Sequence, residues 1–590
     1  MSEKIQRTVH VWEKLEIILK AENIYKNAYM DVDVWVDLKG PDFNKRVYGF
    51  WDGNNVFRIR VLATIPGKWD WTSNSNQSDR GLNGLSGDFE AVEWTEEEKE
   101  ENPCRRGMIL AAQNGHTLEY SDGTPFFLLG DTWWSIPTFR YKWYDDDLER
   151  PVGPDMGFKD MVRYRKQQGF NSIALIASFP AWANDGLPNL IRLDDEEKTF
   201  LRSAWRQAGT ESAEDMHNEG GRPFLFPGKI PGYEKVFPDM NRINPKYFQY
   251  MDKKIDYLNL QGFVPFIEVV RRDITQAWKK YYEWPETYAR YTQYVFSRYY
   301  ANNCIFSPIH LDNDHASIPA KEYNEPTNLV IDRYGFPPFG TLISTNAHCS
   351  NYENFGGPEE CKWMTLYQIG NAPRIHSQYW YLTEIFNLKE PKPALNGEPY
   401  YHGDPVGWPE GYRPADIEEE ELNCRSGMYG NVLSGGLAGH IYGAIGLWQG
   451  SIEEEASPKM WESLTWESAN QMQYLKSFIM SEGDRYTDLI PNNGYVTPSQ
   501  MGDPISYQGW VYCAGTDEKD FFLIYFEKDS PDVVFRGAIP GRSYKGLWFN
   551  PRNGSWIEIE NPITSDLSTG RVKLPSTPTN NDWGIKLLLI

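Results

Sequence analysis

Cysteine is scarce, with six in 590 residues (Cys104, Cys304, Cys349, Cys361, Cys424 and Cys513) and no C-x-x-C pair. That scatter excludes a zinc knuckle or a disulfide framework and leaves buried, reduced thiols as the expectation. Long apolar runs are missing as well; nothing approaches the roughly 18 residues of a bilayer span, so no membrane is expected as a partner. Basic residues number 59 against 82 acidic ones, a formal net charge of −23 that opposes binding to nucleic acid or anionic lipid. No glycine-rich turn joins a strand to a helix, so a nucleotide site is not expected. Neither a G-x-S-x-G elbow nor a Ser-His-Asp arrangement is present to do nucleophilic chemistry. The opening MSEKIQRTVHVWEKLEI lacks the apolar core of a secretory signal, which points to the cytoplasm, or to secretion or the periplasm if a leader has been removed.

What is abundant is aromatic: 15% of residues, including 23 Trp and 36 Tyr. Such rings stack against the C–H faces of sugars, although they also fill β-sandwich interiors. At this length two to four domains are expected. Residues 1–103 predict a β-sandwich: VHVWEKLEIIL and AYMDVDVWVDL alternate, a turn follows at Asp52–Gly53, and VFRIRVLA continues the pattern. The acidic EEEKEEN at 96–102 reads as a solvated connector. Residues 489–590 predict a second, smaller sandwich.

Between them, 104–488 alternates apolar runs with helical periods. Strand candidates are PFFLLGD (125–131), NSIALIAS (171–178), FVPFIEVV (263–270), CIFSPIHLD (304–312), PFGTLIS (338–344), RIHSQY (374–379), KPALNGE (392–398) and GHIYGAIGLWQ (439–449). Phe158, Met161, Val162 and Arg165, then Phe248, Met251, Ile255 and Leu258, then Tyr288, Tyr291, Val295 and Tyr299, mark amphipathic helices. Eight strands separated by helices predict an α/β architecture, a (β/α)₈ TIM barrel flanked by the two sandwiches.

Barrel enzymes carry their reactive groups at the C-terminal strand ends. Asp131, Glu268, Asp312 and Glu398 fall there, in strands one, three, four and seven. Glycosidic hydrolysis needs two carboxyl groups across the anomeric carbon, and strands four and seven face each other, so Asp312 and Glu398 are the expected catalytic pair. Asp131, Trp133, Trp134, Glu268, His310, Asp314, His348, Tyr401, His402 and Trp448 are the expected substrate-binding set. No cofactor is called for. The run HLDNDH at 310–315 leaves open a metal-assisted enzyme or a polysaccharide lyase using His310, Asp314 and His315. A carbohydrate-binding protein on a degenerate barrel is a further alternative.

At these residues the chain resembles the apiosidase-like glycoside hydrolases. DGTPFFLLGDTWW is similar to that family's first strand, KPALNGEPYYHG to its seventh and GGLAGHIYGAIGLWQ to its eighth, while GLWFNPRNGSW and DWGIKLLLI resemble its small C-terminal sandwich. The resemblance implies a TIM barrel behind an Ig-like domain, an oligosaccharide or polysaccharide substrate, Asp312 as acid/base and Glu398 as nucleophile of a retaining hydrolase; in that role Asp312 is expected to be raised in pKa by burial and by the Glu398 anion. His310 and Leu311 stand where the family usually has two glycines, which makes the pocket beside the leaving group different.

Overall fold

The computed structural model describes residues 7–182, 191–194, 199–201, 203–204, 216–312, 318–370, 378–406, 413–501 and 507–590. It is a mixed α/β architecture with β-sheet domains at both ends. The N-terminal domain pairs a five-stranded sheet, in the order Arg7–His10, Ser86–Val92, Gly67–Ser75, Val34–Gly40 and Phe43–Tyr48, with a three-stranded one of Leu15–Lys20, Val56–Val61 and Phe50–Trp51. Val34, Val36 and Leu38 alternate inward and meet Ile17, Ile59 and Trp69 in one buried core. The acidic stretch expected to be a connector is a helix, Glu96–Glu101. Thr95 and Glu98 cap its start reciprocally, a capping box that fixes the helix in spite of its charge density.

The central domain is built on eight parallel strands: β1 (Leu128–Thr132), β2 (Ser172–Ser178), β3 (Val264–Val270), β4 (Ile305–Ser307), β5 (Leu342–Ile343), β6 (Tyr367–Gly370), β7 (Ala394–Glu398) and β8 (Gly439–Tyr442). They hydrogen-bond in the order β5-β4-β3-β2-β1-β8-β7-β6. Among the described residues no ladder joins β5 to β6. The seam is crossed by two backbone bonds, from the Thr365 and Leu366 amides to the Ile343 carbonyl, at 2.8 and 3.2 Å. The sixth strand therefore lies earlier than the expected Arg374–Tyr379; of that segment, 374–377 falls outside the described residues, and a helix begins at Gln378. The expected helices are present as Phe158–Gln167, Pro245–Leu260 and Glu286–Tyr299. The second starts on Asn244, whose side chain accepts from the Lys246 amide at 3.3 Å, with Pro245 in the first turn where its missing N–H costs nothing.

Inside the curled sheet, Leu128, Ala174, Val264, Phe266, Ile305, Leu342, Leu395 and Ile441 form a separate core. A small sheet of Ile109–Ala111, Leu118–Tyr120 and Pro125–Phe126 adds Ile109, Leu118, Tyr120 and Phe126 to that core and plugs the N-terminal end. The open end is the C-terminal one.

The C-terminal domain sets a seven-stranded sheet, with Val511–Gly515, Phe521–Phe526, Trp583–Leu589 and Ser543–Phe549 at its centre, against a three-stranded one. Buried ion pairs tie both flanking domains to the middle. Arg60 meets Asp252 at 2.6 Å and Arg298 meets Asp52 at 3.0 Å on the N-terminal side. Arg425 meets Asp582 at 2.8 Å on the C-terminal side, where Arg552 also reaches Asp582 at 2.9 Å. The six cysteines are free, and none is fully exposed. No helix among the described residues is long and apolar enough to cross a membrane.

Candidate active site

Alternation along β3 turns Val264, Phe266 and Glu268 to the inside of the sheet, with Glu268 at its C-terminal end. β4 is interrupted at Pro308 and resumes as His310–Leu311, which pairs in parallel with Asn346–Ala347 beyond β5. This short extension carries His310 and Asp312 past the core and up to the mouth. β7 ends in a register shift against β6: Ile369 is opposite Asn396, but Gly370 is opposite Glu398. The bulge re-aims Glu398, and the Asn396 side chain holds it by accepting from the Glu398 amide at 3.0 Å. A Cβ on Gly370 would lie 3.0 Å from the Glu398 Cβ and 3.4 Å from Asn346 Oδ1, so glycine is what lets the two side chains meet there.

These elements bring His310, Asp312 and Glu398 together: one donor atom from each lies within 4.8 Å of the others. All three are buried. Asn346 Nδ2 donates to Glu398 Oε2 at 2.5 Å. His310 Nδ1 contacts the Glu268 carboxyl, and His310 Nε2 lies 3.4 Å from Asp312 Oδ2. Burial and the Glu398 charge push the Glu268 carboxyl well above its usual pKa, with Arg271 offsetting part of the effect. Burial, with Arg271 and Arg272 behind it, holds the His310 imidazole well below its usual value, so the ring is neutral at pH 7.

The Asp312 carboxyl contacts the Arg272 guanidinium and lies 3.5 Å from Arg271, so two positive charges face it. The same two guanidiniums oppose a cation among His310, Asp312 and Glu398. Asp314 and His315, which the metal alternative needs, lie outside the described residues.

Trp134 closes one wall, with its ring 4.5 Å from His310, 5.3 Å from Trp448 and 6.2 Å from Tyr401. The Tyr401 hydroxyl reaches Thr132 Oγ1 at 3.3 Å. Four residues of the expected substrate-binding set thus stand around the carboxyl pair: Trp134, His310, Tyr401 and Trp448. Glu268 stands just beneath.

Three others are corrected. Asp131 is fully buried on the helix side of β1, bonded to Arg165 at 2.6 Å and to the Trp133 indole at 2.7 Å. Trp133 is stacked on Tyr141 in the same layer, 5.5 Å between centroids. Alternation explains both, because Leu128, Gly130 and Thr132 take the inner face. His402 also faces the helices, bonded to Ser468 Oγ at 2.6 Å and stacked on Trp466, with burial lowering its pKa to about 4. His348 is half-buried, two residues past Asn346. Sequence reasoning missed Arg271, Arg272 and Asn346. The first two are marked by the RRD that directly follows β3, and the third by no motif.

Buried carboxyl groups meeting at the open end of a parallel sheet, beside Trp and Tyr rings, are the equipment of a glycoside hydrolase. The chain belongs to the apiosidase-like glycoside hydrolases, whose catalytic-domain model matches residues 112–484. Residues 8–76 match a domain of unknown function, and residues 504–588 match a candidate collagen-binding domain of a collagenase. Among solved structures, a candidate glycoside hydrolase from Bacteroides vulgatus ATCC 8482 superposes with a TM-score of 0.66 at 15% identity, covering 99% of this chain and all of that one. A glycoside hydrolase family 5 protein from the same organism gives a TM-score of 0.57 at 15% identity, covering 82% of this chain and 94% of that one. At such identity the likeness concerns the fold. No curated protein sequence matches the chain.

Proposed function

We propose that this protein hydrolyses a glycosidic bond in an oligosaccharide or polysaccharide fragment of plant or algal origin, with retention, on a (β/α)₈ barrel whose seam lies between β5 and β6. The observation that carries the reading is the approach of Asp312 and Glu398, each offering an oxygen within 4.8 Å of the other over the open end of the sheet. Retaining hydrolases keep their carboxyl groups roughly 5–5.5 Å apart, whereas inversion needs roughly 6.5–9.5 Å to admit a water between them. Glu398, fixed by Asn346 and by the bulge, attacks the anomeric carbon; Asp312 protonates the leaving oxygen and then takes a proton from the water that releases the sugar. Trp134, Tyr401 and Trp448 offer ring faces to the sugar.

The test starts with a panel of cell-wall oligosaccharides to find a substrate. Glu398→Gln then removes most turnover, and Asp312→Asn costs about 10²–10⁴-fold on an unactivated glycoside. A 2-fluoro glycoside of the same sugar labels a peptide containing Glu398. Near-normal rates in both variants, or a label on another residue, refute the assignment.

A further inference from the structure

Asp312 as described sits between two guanidiniums that favour its ionised form, yet an acid must hold a proton when the glycosidic bond breaks. The site contains that proton's source. Among the described residues, three buried carboxyl groups (Glu268 on β3, Asp312 beyond β4 and Glu398 on β7) meet two guanidiniums, Arg271 and Arg272, at the end of β3. Two carboxylates balance two arginines; a third negative charge in the same buried space is strongly disfavoured. Glu398 is held by the Asn346 amide and Asp312 by the arginines, which leaves Glu268, against the imidazole of His310, as the group that keeps a proton. His310 is itself fully buried, so the proton cannot be traded freely with bulk water.

The geometry points to Glu268 and His310 as a proton relay that stores the proton of the acid and passes it to Asp312. This inference rests on the reading of Asp312 as acid/base. One edge of the ring, at Nδ1, contacts the Glu268 carboxyl; the opposite edge, at Nε2, lies 3.4 Å from Asp312 Oδ2. Trp134 packs on the ring edge-on at 4.5 Å and keeps it in line. In the first half-reaction the Glu268 proton moves to Nδ1, the Nε2 proton moves to Asp312, and Asp312 gives its proton to the leaving oxygen as the C–O bond breaks. In the second, Asp312 takes a proton from the attacking water, Nε2 recovers it, and Nδ1 returns its own to Glu268. No proton is gained or lost over the cycle, and no co-reactant is required. Glu268 and His310 are positioning residues here; neither needs to touch the sugar.

Two measurements test the relay. In the substrate-free protein, infrared spectra at pH 7 show the carbonyl band of a protonated carboxylic acid, and Glu268→Gln removes it. A band that is absent, or that survives the substitution, overturns the proton store. With the sugar identified by the panel, wild type, Glu268→Gln and His310→Gln are compared on an alkyl glycoside and a dinitrophenyl glycoside. Only the alkyl leaving group needs the proton, so kcat falls about 10²-fold on it and within about 3-fold on the dinitrophenyl substrate, with little change in KM. His310→Asn, a smaller amide, gives the same split if the glutamine variant folds poorly. Equal losses on both substrates mean that His310 only packs the wall, and the relay is wrong. Unimpaired Asp312→Asn would instead bring down the acid assignment beneath it, while the infrared result still reports on Glu268.

Discussion

Under the proposed mechanism, Asn346→Ala isolates the support of Glu398 without touching the Asp312 or Glu398 carboxyl. The Asn346 amide donates to Glu398 Oε2 at 2.5 Å with both side chains buried, a charge-assisted bond that water does not replace easily. Bonds of this kind to a charged group contribute about 1.5–3 kcal/mol. Removing the donor raises the free energy of the Glu398 carboxylate relative to its protonated form by that amount. At about 1.36 kcal/mol per pH unit, the acid limb of kcat/KM moves upward by about one to two units. On the plateau the carboxylate has also lost the group that aims it, so kcat falls about 10–10²-fold while KM changes little. The assay is a pH–rate profile of wild type and variant on a responding glycoside, with a denaturation midpoint to show that the fold persists. Asn346→Asp, of almost the same shape, sets a second negative charge against Glu398 and moves the limb at least as far. An acid limb that stays in place in both variants, with rates within about twofold, refutes the role given to Asn346 and weakens that of Glu398.

Asp131→Asn leaves the buried Arg165 guanidinium without its partner and destabilises the protein by about 3–5 kcal/mol in denaturant melts, whereas a residue that binds substrate would raise KM without lowering stability. Trp448→Ala, by removing the half-buried ring beside Trp134, raises KM several-fold with kcat nearly unchanged; a reversed pattern in steady-state kinetics counts against a sugar platform. Burial alone would raise the Asp582 carboxyl, but the Arg425 guanidinium overrides it and holds the pKa below the usual carboxylate value. The stabilisation from this depressed pKa is present above about pH 4 and lost as pH falls through the lower folded value. Asp582→Asn therefore melts the C-terminal domain earlier at pH 7, and its deficit against wild type shrinks in acid melts.

Most of the architecture was legible because β2, β3 and the helices beside them carry clean patterns: Ser172–Ser178 and Val264–Val270 are largely apolar runs of strand length, and Phe248, Met251, Ile255 and Leu258 repeat on one helical face. The sixth strand was misplaced because Tyr367–Gly370 is four residues of ordinary polarity with no turn residue before it, while the IHSQY run just after it alternates. Short parallel strands buried on both faces show no periodicity of their own.

The same physics decides which site residues could be read in advance. In LLGDTWW both faces of β1 are buried, so polarity does not reveal which alternate set looks inward. Asp131 and Trp133 share one face and Thr132 and Trp134 the other, and only the contact of Leu128 with the inner core fixes which is which. Glu398 is placed at the mouth by its strand alone, because KPALNGE ends β7. Its helpers are not, since Asn346 comes from the extension beyond β5, and Arg271 and Arg272 lie past the last residue of β3. A carboxyl at a strand end can be found by counting along one strand. The charge around it is set by neighbours from other strands, so the guanidiniums that face Asp312 could be named only after β3, β4 and β7 had been placed side by side.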